Sequence, residues 1–359
     1  MKDLATYKNE IDELLLLLAQ ERGSDIHLSP GVFPTIRVDG RLIPLSNRAV
    51  LDSETIEGYA TALIGEERKA RFIQEKEADF SYMVEEKARF RMNIYMSKGS
   101  FAITGRHVPF EIRTIEQLKL PKILKFFAQL SQGFVLIVGP NGHGKSTTLA
   151  ALINLINKER VEKIVTIEDP IEYMFVSDQS IIDQREVYRD TNSFANALRA
   201  TFRENVNVIM VGELRDYETM SAAVSAAETG HLVFASLHTN NAAQTIERII
   251  DSFPPAQQSQ IISQLANSVS GIISQRLIPS TKGGLVPAVE VLVANSAVRN
   301  LIRENKTEQL NVVIDTSEEA GMISMNKSLA DLVKKGEISL EQAEFFSLNP
   351  KELKLLLKQ

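Results

Sequence analysis

The 359-residue chain contains no cysteine. That absence excludes disulfides, cysteine-ligated zinc, iron–sulfur clusters and thiol nucleophiles together, and it fits a reducing compartment. Long apolar runs are missing too. Leu14 to Ala19, the longest near the N-terminus, falls far short of the ~20 residues that span a bilayer. Ile11, Leu14, Leu15 and Leu18 follow i, i+3, i+4, i+7 and predict one apolar face of a helix. The acids Glu10, Asp12 and Glu13 argue against a membrane-surface anchor. With Met1-Lys2-Asp3 leading straight into this helix, no targeting signal is read and a cytoplasmic protein is expected. Basic excess is absent as well. Lys+Arg 40 against Asp+Glu 46 leaves a net charge of −6, and there is no Lys/Arg-rich tract, so no stable nucleic-acid partner is expected. No internal repeat or low-complexity tract appears. What remains is ordinary globular material, 44% hydrophobic and 24% charged, long enough for two domains with separate cores.

The first part, 1–108, reads as a mixed α/β domain. Thr35 to Val38 and Arg41 to Ile43 flank Asp39-Gly40, a two-residue hairpin signal. Ser53 caps a helix over Glu54 to Phe72, with Ile56, Tyr59, Ala60 and Leu63 on one face. Ala88 to Tyr95 and Ser100 to His107 are further strand candidates. Pro109 and Pro121 bracket a linker, 109–120, and a second domain, 121–359, follows. There Phe134 to Val138 is an unbroken apolar run, as in a strand buried on both faces. A glycine loop and a helix over Thr147 to Asn157 follow it. Strands at Lys163 to Ile167, Val208 to Val211 and Leu232 to Leu237 alternate with helices at Ser193 to Phe202 and Tyr217 to Glu228. Such alternation means crossover connections and a mainly parallel sheet. After about 280 the chain reads as mostly helical, fully so from about 290, with Ser339-x-x-Gln342 as a capping box and Asn349-Pro350 opening a last helix.

Gly139-Pro140-Asn141-Gly142-His143-Gly144-Lys145-Ser146 matches G-x-x-x-x-G-K-[ST]. Glycines let backbone N–H groups curl around phosphate oxygens, and the following helix points its positive end at the same anion. Lysine at this place reaches the β/γ-phosphates and the serine hydroxyl is a magnesium ligand. The competing reading, a glycine-rich turn with a surface lysine, does not account for its place between a buried strand and a helix. A P-loop enzyme also needs carboxylates near magnesium and water. Val206 to Gly212 ends in Glu213, and Ile164 to Ile167 ends in Glu168-Asp169-Pro170-Ile171-Glu172, both at the sheet edge where α/β proteins bind ligands. His231 and His238 flank Leu232 to Leu237. Their spacing puts them on opposite faces of a strand, which excludes a shared metal. His238, at the carboxyl end, is the better candidate for sensing the γ-phosphate. Arg89, Arg91 and Arg106 lie on strand-like segments. They are either solvent-facing charge or guanidiniums presented to nucleotide.

These motifs, in order, resemble the secretion-superfamily P-loop ATPases, and within them the type IV pilus retraction motors of the PilT/PilU group. Gly23 to Ser29, Val38 to Gly40 and Ala88 to Asn93 are similar to the family's N-terminal motifs. Thr166 to Tyr173 is similar to its Asp box, Val208 to Asp216 to its Walker B segment, and Thr229 to Thr239 to its His box; Gln184 to Val187 recurs there too. Ala297 to Lys306 resembles the retraction signature, with Val298 where isoleucine is usual. Assembly and type II secretion ATPases carry a tetracysteine zinc module instead, which this chain lacks. His143 stands where a small residue is usual, Lys98-Gly99 where an arginine is, and Asn205-Val206-Asn207 where the stretch is more acidic.

The resemblance implies an α/β protein with a PAS-like N-terminal domain and a RecA-like P-loop domain with a helical C-terminal part. It implies ATP and Mg²⁺, with the loop from Gly139 to Ser146, Thr147 and His231 on the nucleotide side, the last through the fold of its box. Ser146 and Glu172 would serve the metal, Glu213 the water and His238 the γ-phosphate, while Arg89, Arg91 and Arg106 would act on phosphoryl charge. The implied partners are a homohexamer, an inner-membrane pilus platform protein and a second retraction ATPase. Membrane association would run through partners, at the inner-membrane base of the pilus machine. An accessory PilU-like subunit and a nucleic-acid translocase on the same core are the alternatives.

Overall fold

A computed structural model of the chain describes residues 3–21, 23–38, 40–85, 87–108 and 111–358. Asp39 and Pro109, singled out above, lie outside them, as do Met1 and Lys2. The chain divides into two compact units. One comprises Met1–Glu111 with Pro170–Met174, the other Ile112–Asp169 with Phe175–Gln359. The segment from 112 to 120, read as linker, therefore packs with the second unit, and the short piece after Asp169 packs with the first.

In the first unit, helix α1 (Leu4–Gln20) is followed by strands β1 (Asp25–Leu28), β2 (Thr35–Val38) and β3 (Arg41–Pro44). Helix α2 (Ser53–Glu75) then precedes β4 (Glu77–Val84), β5 (Ala88–Ser97) and β6 (Ser100–Val108). Among the described residues they form an antiparallel sheet in the order β3-β2-β1-β6-β5-β4. The apolar stripes read from the sequence are the ones that bury: Ile11, Leu14, Leu15 and Leu18 of α1 and Ile56, Tyr59, Ala60 and Leu63 of α2 pack on Phe90, Met92 and Ile94 of β5. Each such aliphatic side chain contributes about 1.5–3 kcal/mol. Asp3 caps α1 through Thr6 N, and Asp52, in place of the expected Ser53, caps α2 through Thr55 N.

The second unit opens with α3 (Leu124–Gln129), β7 (Gly133–Val138) and α4 (Lys145–Glu159). Strands β8 (Lys163–Glu168) and β9 (Ile181–Glu186) follow, then α5 (Phe194–Thr201), β10 (Val208–Val211), α6 (Tyr217–Glu228) and β11 (Leu232–Leu237). Helices α7 (Ala242–Asp251) and α8 (Pro255–Ser268) lead to β12 (Val269–Pro279) and β13 (Leu285–Val293). The chain ends in α9 (Ser296–Arg303), α10 (Leu310–Thr316), α11 (Met325–Lys334), α12 (Leu340–Phe346) and α13 (Pro350–Lys358). The sheet order is β13-β12-β7-β11-β10-β8-β9, parallel except for β13. Side chains of β7 alternate between its faces: Phe134, Leu136 and Val138 join one core cluster, Val135 and Ile137 the other.

Two further expectations change. The helical character read after about 280 begins only at Ser296, because β13 occupies 285–293 as the antiparallel edge strand beside β12. Helix α4 starts at Lys145, two residues early, which brings Ser146 and Thr147 into its first turn. The Ser339–Gln342 capping box forms with both reciprocal bonds. In α9 the apolar face is buried at Val298 and Ile302, and Arg299 donates to the Ala266 and Asn267 carbonyls at the end of α8. The arginine thus satisfies acceptors that a helix terminus leaves unpaired.

Candidate nucleotide site

The parallel order β7-β11-β10-β8 aligns four carboxyl ends, and the loops leaving them stand side by side in that sequence. After β7 comes the glycine loop, after β11 His238, after β10 Glu213, and at the end of β8 Asp169. The side chains connect in the same order. Lys145 Nζ donates to the carbonyls of Gly139 (2.9 Å) and Pro140 (3.0 Å) and contacts His238 Nδ1 at 3.1 Å. With lysine donating at Nδ1, the ring proton belongs on Nε2. That nitrogen lies 2.9 Å from Glu213 Oε1. Glu213 Oε2 accepts from Arg215 Nε at 3.0 Å, and Arg215 Nη1 reaches Asp169 Oδ2 at 2.9 Å.

The glycine loop is braced from β12. A Cβ on Gly139 would meet the Gln275 carbonyl oxygen at 2.4 Å, and one on Gly144 the Gln275 amide nitrogen at 2.8 Å; Gly144 also has φ +81. Both positions therefore require glycine. The buried Gln275 amide is used at both ends: it donates to the His143 carbonyl (2.8 Å) and accepts from Thr148 Oγ1 (2.7 Å). His143, the residue departing from the family pattern, turns its ring to β12 and accepts the Leu277 N–H at 2.9 Å. Burial, with Arg276 and Lys145 nearby, holds that ring below its ordinary pKa, which preserves the acceptor. At the start of α4 no side chain caps the first turn, so its N–H groups point into the loop, the arrangement that favours an anion.

Behind His238, the buried Glu290 of β13 accepts the Ala242 N–H at 2.8 Å and fixes the start of α7. Burial raises its pKa to about 7, with Asp315 adding to the rise and the Ala242 N–H and Arg276 opposing it. A carboxyl raised this way stabilises the fold at low pH and loses that contribution as pH rises through about 7. Glu290→Gln keeps the acceptor without the charge. Its stability should equal the wild type's near pH 4, below the carboxyl's ordinary pKa, and exceed it at pH 8 by up to about 3 kcal/mol, read by urea melts at the two pH values.

In the first unit Arg91 pairs with Glu172 at 3.3 Å. Arg89 is buried and donates to the Ile171 carbonyl at 3.1 Å. Arg106 Nε bonds Asp25 Oδ1 at 2.9 Å while most of its side chain is exposed.

A family model described as type II/IV secretion system protein matches residues 107–344, more than half of the chain. The chain belongs to the type II/IV secretion system protein family. Among relatives of this secretion-ATPase family, the type IV pilus retraction ATPase PilT of Pseudomonas aeruginosa is 41% identical over 334 residues, covering 93% of this chain and 97% of that protein. The type IV pilus ATPase PilU of the same organism is 37% identical over 350 residues, covering 97% of this chain and 91% of that protein. A crystal structure of the pilus retraction motor PilT with bound ADP matches with a TM-score of 0.89 at 43% identity, covering 96% of this chain and 99% of that one. As a family member the chain is an ATPase, with the expected mixed α/β N-terminal domain and P-loop domain with a helical C-terminal part.

Within this secretion-system ATPase, the P-loop, Lys145, His238 and Glu213 form one cluster. His231 does not join it. It stands at the amino end of β11, separated from the nucleotide edge by the six residues of the strand, about 20 Å at 3.3 Å per residue. There its Nδ1 lies 3.0 Å from the Ala226 carbonyl, at the end of α6, and its ring meets Phe202 edge-on. At that place His231 meets the end of a helix, and the buried Arg89 guanidinium holds the 170–174 segment.

Magnesium prefers hard oxygen donors. The Ser146 hydroxyl in the first turn of α4 and the Glu213 carboxylate at the end of β10 are of that kind, so the P-loop unit fits the ion; Glu172 belongs to the other unit. Sequence reasoning missed Gln275 and Arg215 as site residues. Gln275 lies 127 residues beyond its partner Thr148 and carries no motif spacing. Arg215 sat inside a recognised segment, and only strand order shows that it reaches Asp169.

Proposed function

We propose that the chain is the subunit of a homohexameric motor that hydrolyses ATP with Mg²⁺ to retract type IV pili, working at the inner-membrane base through a platform protein. The observation that carries this reading is the match to PilT over nearly the full length of both chains. Lys145 draws charge from the β/γ-phosphates, and Ser146 serves the magnesium–water site. Glu213 takes a proton from the attacking water as the bond from the γ-phosphorus to the β,γ-bridging oxygen breaks and ADP leaves with its electron pair. His238 reports the γ-phosphate to Glu213. Arg91 and Arg106 stabilise phosphoryl charge, while Arg89 holds the crossing segment. No helix among the described residues is long and apolar enough to cross a membrane, which suits attachment through partners. Deleting the gene tests the reading: excess surface pili without twitching support it, and normal piliation with normal twitching contradicts it. The PilU match over 97% of this chain favours a second reading, an accessory retraction subunit. Complementation of strains lacking one or both retraction ATPases separates the two.

A further inference from the structure

The carboxylate of Glu213 is gripped on both oxygens, by His238 on one and by Arg215 on the other. Two N–H donors on opposite oxygens fix the rotation of a carboxylate, and a charge-assisted pair with arginine adds direction as well as strength. Arg215 is about half exposed (51%), too open for its ion pairs to matter greatly to folding. Its guanidinium is nonetheless shared, with Nε on Glu213 and Nη1 on Asp169. Asp169 is the last residue of the second unit before Pro170–Met174, which packs with the first. In that crossing segment Arg89 holds the Ile171 carbonyl and Arg91 pairs with Glu172. Within the second unit, one chain of contacts runs from Asp169 through Arg215 to Glu213.

We propose that Arg215 is a positioning residue: it sets the orientation of Glu213 from Asp169, with no contact between Arg215 and nucleotide required. The inference rests on Glu213 being the water-activating group.

Steady-state ATP hydrolysis by the full-length protein tests it. Arg215→Gln lowers kcat about 10- to 100-fold, the scale on which a misplaced catalytic group costs rate. The ATP KM and the affinity for a fluorescent ATP analogue stay within about twofold, since nucleotide contacts are untouched. Arg215→Lys restores part of the rate. Asp169→Ala reproduces a loss of the same kind, and the double variant Asp169→Ala/Arg215→Gln is no slower than Arg215→Gln alone. Wild-type kcat in Arg215→Gln overturns the proposal. So does a parallel loss of nucleotide binding, or additive losses in the double variant. An active Glu213→Gln protein instead removes the reading beneath it. An inactive Glu213→Gln beside a fully active Arg215→Gln removes only this inference.

Discussion

Lys145→Ala leaves no measurable ATP turnover and weakens nucleotide binding. Lys145 is buried (8% exposed), and its ammonium lies among the Gly139 and Pro140 carbonyls and His238. In such a water-poor site a fixed positive charge acts with little screening, and it costs no reorganisation as phosphoryl charge develops. Removing one group of this kind lowers kcat by roughly 10²–10³ or more. The alanine variant also strips the two loop carbonyls of their donor, so the loop loses its internal clasp. Arginine does not substitute, because a planar fork differs from a compact ammonium in reach and shape. Phosphate release and equilibrium binding of an ATP analogue read the two effects separately. Turnover near the wild-type rate would contradict the role given to this lysine.

Glu213→Gln slows hydrolysis by about 10²–10⁴ while ATP still binds. The amide matches the carboxylate in shape but cannot take the proton of the attacking water, and general-base assistance is worth that range. The substitution also disturbs the grip described above. Its carbonyl oxygen can satisfy either His238 or Arg215, and the –NH₂ then faces the other donor. The loss should therefore fall on kcat, with nucleotide affinity close to wild type. Phosphate release at saturating ATP, with binding of a fluorescent analogue measured in parallel, checks both. Normal turnover in the purified variant removes Glu213 from the reaction.

Elements with strong local signals were legible in the sequence. The apolar run of β7 and the loop behind it, the α1 stripe and the Ser339 capping box are each written within a few residues of chain. Strands β12 and β13 were not legible: Ser270, Ser274, Gln275 and Arg276 interrupt the apolar pattern of β12, Pro287 sits within β13, and β12 joins the sheet through its distant partner β7. The loops carrying Lys145, His238 and Glu213 could be placed at one edge of a parallel sheet from their positions after strands. That His238 stands between the other two follows from β11 lying between β7 and β10, which no spacing encodes. The place of His231 at the far edge likewise follows from the length and direction of β11. The attachment of Pro170–Met174 to the first unit was likewise invisible, since it depends on the partners offered by Arg89 and Arg91 about eighty residues earlier.

The central claim, that the Glu213 cluster powers pilus retraction, is tested most directly by imaging labelled pili on live cells that carry Glu213→Gln at the native locus. Pili on these cells should extend and then fail to retract, leaving excess surface pili and no twitching. Pili that retract at the wild-type rate in this strain would contradict it.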